Sequence, residues 1–224
     1  MAFDDFDEYE QGEQVRQWLK ENGIAILVGV VLALVLIFGY RQWTAHGVAH
    51  EVQAASQFAI VQNAVQANSK DALATGAAAL GDLQKNYPKT PYAAFASGAM
   101  AEYEVGKGNL KAAAQNLQWA VDHSRQPGLK ELFALRLARV LLAQNEAQPA
   151  LTVLGNIAPG DYAAVADELR GDASLKLGNT AAARKAYEAA LGKLDKDAPG
   201  RNVVQMKLDN LAPNAATPSG TKAK

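Results

Sequence analysis

The chain has 224 residues, no cysteine, three histidines and a formal net charge of −1. That excludes disulfide staples, thiolate chemistry and cysteine metal sites, and leaves no bulk electrostatic attraction for nucleic acid. The charge is uneven: residues 1–21 carry a net −5 and the remainder a net +4.

The first segment, residues 1–22, is acidic, with Phe3, Phe6 and Tyr9 at three-residue spacing. It reads as a solvated tail. The alternative is a short docking motif that orders on binding.

Residues 23–40 read GIAILVGVVLALVLIFGY, with no charge between Glu21 and Arg41. As a helix they rise about 27 Å, close to the roughly 30 Å hydrocarbon core of a bilayer. Trp18, Tyr40 and Trp43 flank the stretch, where amphipathic rings favour the headgroup region. The reading is a transmembrane helix in a lipid bilayer. A cleaved signal peptide is the competing one; it fits poorly with a long acidic first region and so long an apolar run. Arg16 and Lys20 before the span outnumber Arg41 just after it, which weakly favours an N-terminus on the inner side. Gly29 and Ala33 have small-xxx-small spacing, a candidate contact with another membrane helix.

Residues 41–68 carry Val48, Val52, Phe58, Val61 and Val65 on one helical face and lead into the next domain. From 69 to 212 helix-length segments alternate with Gly, Pro and Asn punctuation, and none shows strand alternation. The fold class is therefore all-α. Self-similarity is visible at three turns, Gly108, Asn145 and Gly178. Five, nine and twelve residues after them lie Ala113, Leu117 and Ala120; Ala150, Leu154 and Ile157; Ala183, Tyr187 and Ala190. Seven before them lie Ala101, Ala138 and Gly171. Offsets of 5, 9 and 12 share one helix face, so each unit is a hairpin whose apolar side must be covered by the next. The pattern resembles the tetratricopeptide repeat of about 34 residues. Asn145 stands in place of a turn glycine, and Pro149 falls early in its helix, where proline is tolerated. A degenerate earlier unit spans 46–88, with Leu80, Leu83 and Pro88 in repeat-like positions. Ser97, Ala134 and Asp167 replace the bulky aromatic usual near the start of each first helix. Val203, Val204, Leu208 and Leu211 predict a capping helix over 201–211, and residues 213–224 read as a disordered tail.

The acidic start, the apolar helix opening at Glu21-Asn22-Gly23, and the segments LRLARV (135–140), VADELRGDASLKLGN (165–179) and QMKLDNL (205–211) together resemble the YfgM-type ancillary subunit family of the bacterial SecYEG translocon. The resemblance implies a single-pass protein of the bacterial inner membrane, N-terminus cytoplasmic and helical domain periplasmic. It implies two protein partners, Sec translocon subunits and a membrane-anchored periplasmic chaperone of the prolyl-isomerase-like class. It also implies a role in passing emerging chains to periplasmic chaperones.

No enzyme is expected, and no cofactor or metal. There is no glycine-rich phosphate loop and no paired-carboxylate motif in a recognisable frame. His46 and His50 at i, i+4 make an incomplete metal site. His123 sits at a helix end, where an imidazole has a structural role. Asp161, Asp167, Glu168, Arg170 and Asp172 form either a solvated helix face or part of a binding groove. By the tetratricopeptide resemblance, the first helices line an inner surface at Phe95, Gly98, Glu102 and Val105; Leu132, Leu135, Arg139 and Leu142; Val165, Glu168, Asp172 and Leu175. The candidate protein-binding residues are Phe95, Glu102, Leu132, Leu135, Arg139, Glu168 and Asp172. The alternative function is a membrane-bound regulator that sequesters a cytoplasmic protein through the acidic tail.

Overall fold

The computed structural model describes residues 4–211, with side chains at 16–41 and 48–211. The acidic tail's side chains, Trp43, His46 and residues 213–224 lie outside that description. Every regular element among the described residues is helical: α1 Asp4–Ala67, α2 Lys70–Asn86, α3 Pro91–Gly106, α4 Leu110–His123, α5 Pro127–Ala143, α6 Ala147–Gly155, α7 Ala163–Lys176, α8 Thr180–Lys193 and α9 Arg201–Asp209.

The chain divides into two compact units, Met1–Val52 and Gln53–Lys224. The first holds one apolar helical stretch, Arg16–Arg41, long enough to cross a membrane, with none of its apolar window buried in protein. Ile24 is 80% exposed and Leu36 72%. Aliphatic side chains left in water forgo about 1.5–3 kcal/mol each. A row of them with no protein cover suits a lipid environment.

The second unit is built of helical hairpins. Pro91 and Pro127 open α3 and α5 at positions where a missing N–H costs nothing. Ser69 and Asn179 cap α2 and α8 by accepting from the backbone N–H of Ala72 and Ala182. Within each of the last three hairpins one turn recurs. Gly108, Asn145 and Gly178 take φ of +78°, +63° and +76°. The next amide then reaches back to close the helix: Asn109 N–H to Glu104 C=O at 2.8 Å, Glu146 to Leu141 at 2.8 Å, Asn179 to Ser174 at 2.9 Å. Asn145 thus does the work of the two glycines.

A fourth turn closes the earlier hairpin at Asn68, φ +49°, where the Asn68 N–H bonds the Ala64 carbonyl at 3.1 Å. This linker is one residue shorter than the others. The close approach of α1 and α2 is accordingly made elsewhere in the register. A Cβ on Gly76 would come within 2.5 Å of the Ala64 methyl.

The expected packing face is buried throughout. Ala113, Leu117 and Ala120, Ala150 and Leu154, and Ala183, Tyr187 and Ala190 are each at most 3% exposed. Gly171 lies so close under the Tyr187 ring that a Cβ would stand 2.3 Å from its Cε1. Ala101 and Ala138 hold the equivalent positions, 1% and 0% exposed. One large cluster runs from α3 to α7, a second joins α1, α2 and α3, and a third joins α8 to α9. In the third, Val204 of α9 is buried against Tyr187 and Leu191, whereas Val203 is 45% exposed.

The positions lacking the usual aromatic are buried nonetheless. Ser97 donates to Ala93 C=O and accepts from Gln84. Asp167 accepts from both Arg170 and Lys193. Rings are supplied from another register: Phe58 of α1, Phe95 of α3 and Phe133 of α5 stand in file, centroids 6.2 and 6.3 Å apart.

Candidate protein-binding cleft

Between α3 and α5 lies a cleft of about 320 Å³. Its floor is apolar, from Ala101, Val105, Leu117 and Val140, with Gly98 between. Gly98 is glycine because Phe133 fills the space: a Cβ there would be 2.5 Å from the ring. The rim is charged by Glu102 on one side and Arg136 and Arg139 on the other. Arg136 stacks its guanidinium over Phe133 at 5.9 Å from the centroid. Among the described residues neither Glu102 nor Arg139 has an ion-pair partner.

The residues singled out from the sequence do not all come together. Glu102 and Arg139 meet at this cleft. Phe95 flanks Phe133 and is 42% exposed. Leu132 is half-buried, and Leu135 is 3% exposed inside the core, so Leu135 does not face an open surface. Arg136, Leu117 and Val140 line the cleft without having been singled out. The signal for Arg136 was its i, i+3 spacing from Arg139, which puts the two on one helix face.

Glu168 and Asp172 lie elsewhere and are covered. Lys207 of α9 donates to Glu168 Oε1 at 2.7 Å and to Asp172 Oδ2 at 2.8 Å. Tyr187 donates to the other Asp172 oxygen at 2.8 Å. Burial pushes the Tyr187 phenol above its ordinary pKa, and the bond to Asp172 and the acidic pair add to it. For Lys207 burial acts downward, but the hydrogen bonds and charges of Asp172 and Glu168 outweigh it and hold the pKa above the usual lysine value. The capping helix thus consumes the acidic pair of the last hairpin.

Nothing in this cleft resembles a reaction centre. It has no nucleophile beside a base, and no three potential metal ligands gather among the described residues. An apolar floor with a charged rim is a make-up shared with many protein interfaces. In the first unit, Gly29 and Ala33 sit on the unburied apolar helix; a Cβ at Gly29 would meet nothing within 4 Å.

Comparison with known proteins agrees with this architecture. A family model described as a tetratricopeptide repeat-like domain matches residues 16–213. Curated relatives match end to end. The ancillary SecYEG translocon subunit of Escherichia coli K12 is 36% identical over 92% of this chain and 97% of its own. That of Haemophilus influenzae is 31% identical over 92% and 98%, and that of Neisseria gonorrhoeae 29% over 92% and 97%. With its apolar N-terminal helix, its stacked hairpins and these matches along nearly the full length, the chain belongs to the ancillary SecYEG translocon subunit family and carries that family's tetratricopeptide repeat-like domain.

Proposed function

We propose that the protein is a membrane-anchored, non-catalytic adaptor of the Sec translocon that hands emerging chains to periplasmic chaperones. The observation that carries the proposal is the α3–α5 cleft, an open, apolar-floored surface on a helical-repeat scaffold whose rim charges Glu102 and Arg139 have no ion-pair partner among the described residues. The names of the relatives supply the translocon, and the apolar helix fits a single-pass protein of the inner membrane. On this reading Gly29 and Ala33 contact a translocon helix, since small residues let membrane helices approach closely. The N-terminus is cytoplasmic and the repeats periplasmic. The second partner is a membrane-anchored chaperone of the prolyl-isomerase-like class.

Site-specific photo-crosslinking in cells tests the proposal. Probes at 29 and 33 should trap translocon subunits, and probes at 102 and 139 should trap translocating chains or the chaperone. Protease added to intact spheroplasts should digest the repeats and spare the N-terminus. Absence of every such adduct, or protection of the repeats, would overturn the reading.

A further inference from the structure

One position recurs in each of the last three hairpins, six residues before the turn: Glu102, Arg139 and Asp172. The position four residues earlier holds Gly98, Leu135 and Glu168. Where α9 packs after the last hairpin, these two positions are both acidic, and the chain answers them with a cation. Lys207 reaches Glu168 and Asp172, and its segment carries aliphatic Val204, Leu208 and, just past the helix, Leu211. This junction shows what the repeat scaffold accepts: a short helical segment pairing one charged side chain with flanking aliphatics.

At the α3–α5 junction the two corresponding positions carry the opposite balance. Gly98 stands where Glu168 would supply an acid, leaving Glu102 alone. Across the cleft Arg136 and Arg139 supply two guanidinium groups, and none of the chain's own carboxylates satisfies Arg139 among the described residues. Of the apolar floor Val105 is 43% exposed at the same place, with Ala101, Leu117 and Val140 buried beneath it. We propose that this cleft selects a peptide segment in which aliphatic side chains neighbour a carboxylate, the aliphatic group seated on the floor and the carboxylate on Arg139 and Arg136. A guanidinium fork suits that task, because it bonds a planar carboxylate through two N–H groups at once. The inference deepens the adaptor reading and rests on the cleft being a peptide-binding surface.

The test uses the full chain in detergent micelles and three fluorescent peptides, capped at both ends. They share the spacing of α9, aliphatic at positions 1, 5 and 8, and carry Glu, Gln or Lys at position 4. At low ionic strength the Glu peptide is expected to bind about tenfold tighter than the Gln peptide, the scale of one charge-assisted bidentate contact at a partly open rim. Added salt should narrow the gap. Arg139→Gln should shrink it, and Arg136→Gln with Arg139→Gln should abolish it by weakening the Glu peptide. Glu102→Gln should widen it. Because Arg136 also stacks on Phe133, the unfolding temperature of each variant is measured alongside, and Arg139→Gln alone suffices if the double variant is unstable. Equal binding of Glu and Gln peptides, or tightest binding of the Lys peptide, overturns the inference and leaves the peptide-binding reading standing. Failure of all three peptides to bind overturns both.

Discussion

Gly171→Ala isolates the fit between α7 and α8. In an exposed helix the change would stabilise by about 1 kcal/mol, since alanine loses less backbone entropy. Here the new methyl would stand 2.3, 2.5 and 2.9 Å from three carbons of the Tyr187 ring. The ring cannot swing aside freely. It is 1% exposed and its hydroxyl is held by Asp172 at 2.8 Å. It must move by about an ångström or more to restore van der Waals contact. Overpacking of that kind costs about 1–3 kcal/mol, and a strained hydrogen bond to a carboxylate forfeits part of a further 1.5–3 kcal/mol. Set against the propensity gain, the net destabilisation is about 2 kcal/mol, or about 4–8 °C in unfolding temperature for a unit of this size. The assay is thermal unfolding of the full chain in detergent by far-ultraviolet circular dichroism. The same change in a Tyr187→Leu background should lose its cost, because the obstructing ring is gone. An alanine variant that melts at or above the parent temperature, or an equal cost in both backgrounds, would refute the reasoning.

The Asn145 turn predicts opposite outcomes for two substitutions. Asn145→Gly should be neutral to slightly stabilising, and Asn145→Val should destabilise by about 1–2 kcal/mol, since a β-branched residue is poorly tolerated at positive φ; chemical denaturation of the two variants decides it. Stability should fall in alkali above about pH 10, where unfolded lysine and tyrosine lose their protons. Lys207 and Tyr187 both have raised pKa values in the fold, so their contribution is intact below the unfolded values and lost as pH rises through the folded ones. Lys207→Met should therefore be less stable than the parent at pH 8, with the difference shrinking in alkali. Asp167→Ala should destabilise by about 1–2 kcal/mol, less than for a fully buried pair, because Arg170 and Lys193 keep 29% and 46% side-chain exposure and rehydrate. A melting temperature unchanged by Asp167→Ala would show that the two ion pairs contribute nothing.

The hairpins were legible because their signal is local. Turn, small residue and packing face lie within one unit at fixed offsets, so Gly178, Ala183 and Tyr187 could be aligned by counting, and Asn145 took its role from register alone. Asn68 escaped that count. Its linker is shorter by one residue, and the close contact moved to Gly76, where no offset from the other units points. The cleft was only half legible. Helical spacing brought Glu102 and Arg139 to one surface, but Leu135, four residues before Arg139 on the same expected face, lies in the core. The fate of Glu168 and Asp172 depended on where a separate helix, α9, would lay its one lysine. No spacing within a unit carries that information.

The three phenylalanines in file have a use as a gauge. Phe95 is the most exposed of the three, and it touches Phe58 on one side and Phe133, the ring under Arg136, on the other. Tyr92 stands 6.1 Å from Phe58 and extends the row. Ring currents act over such distances, so a guest that tilts one ring shifts the resonances of the next. Occupancy of the cleft could then be read at Phe58, on a different helix from either wall, with no label attached to the guest.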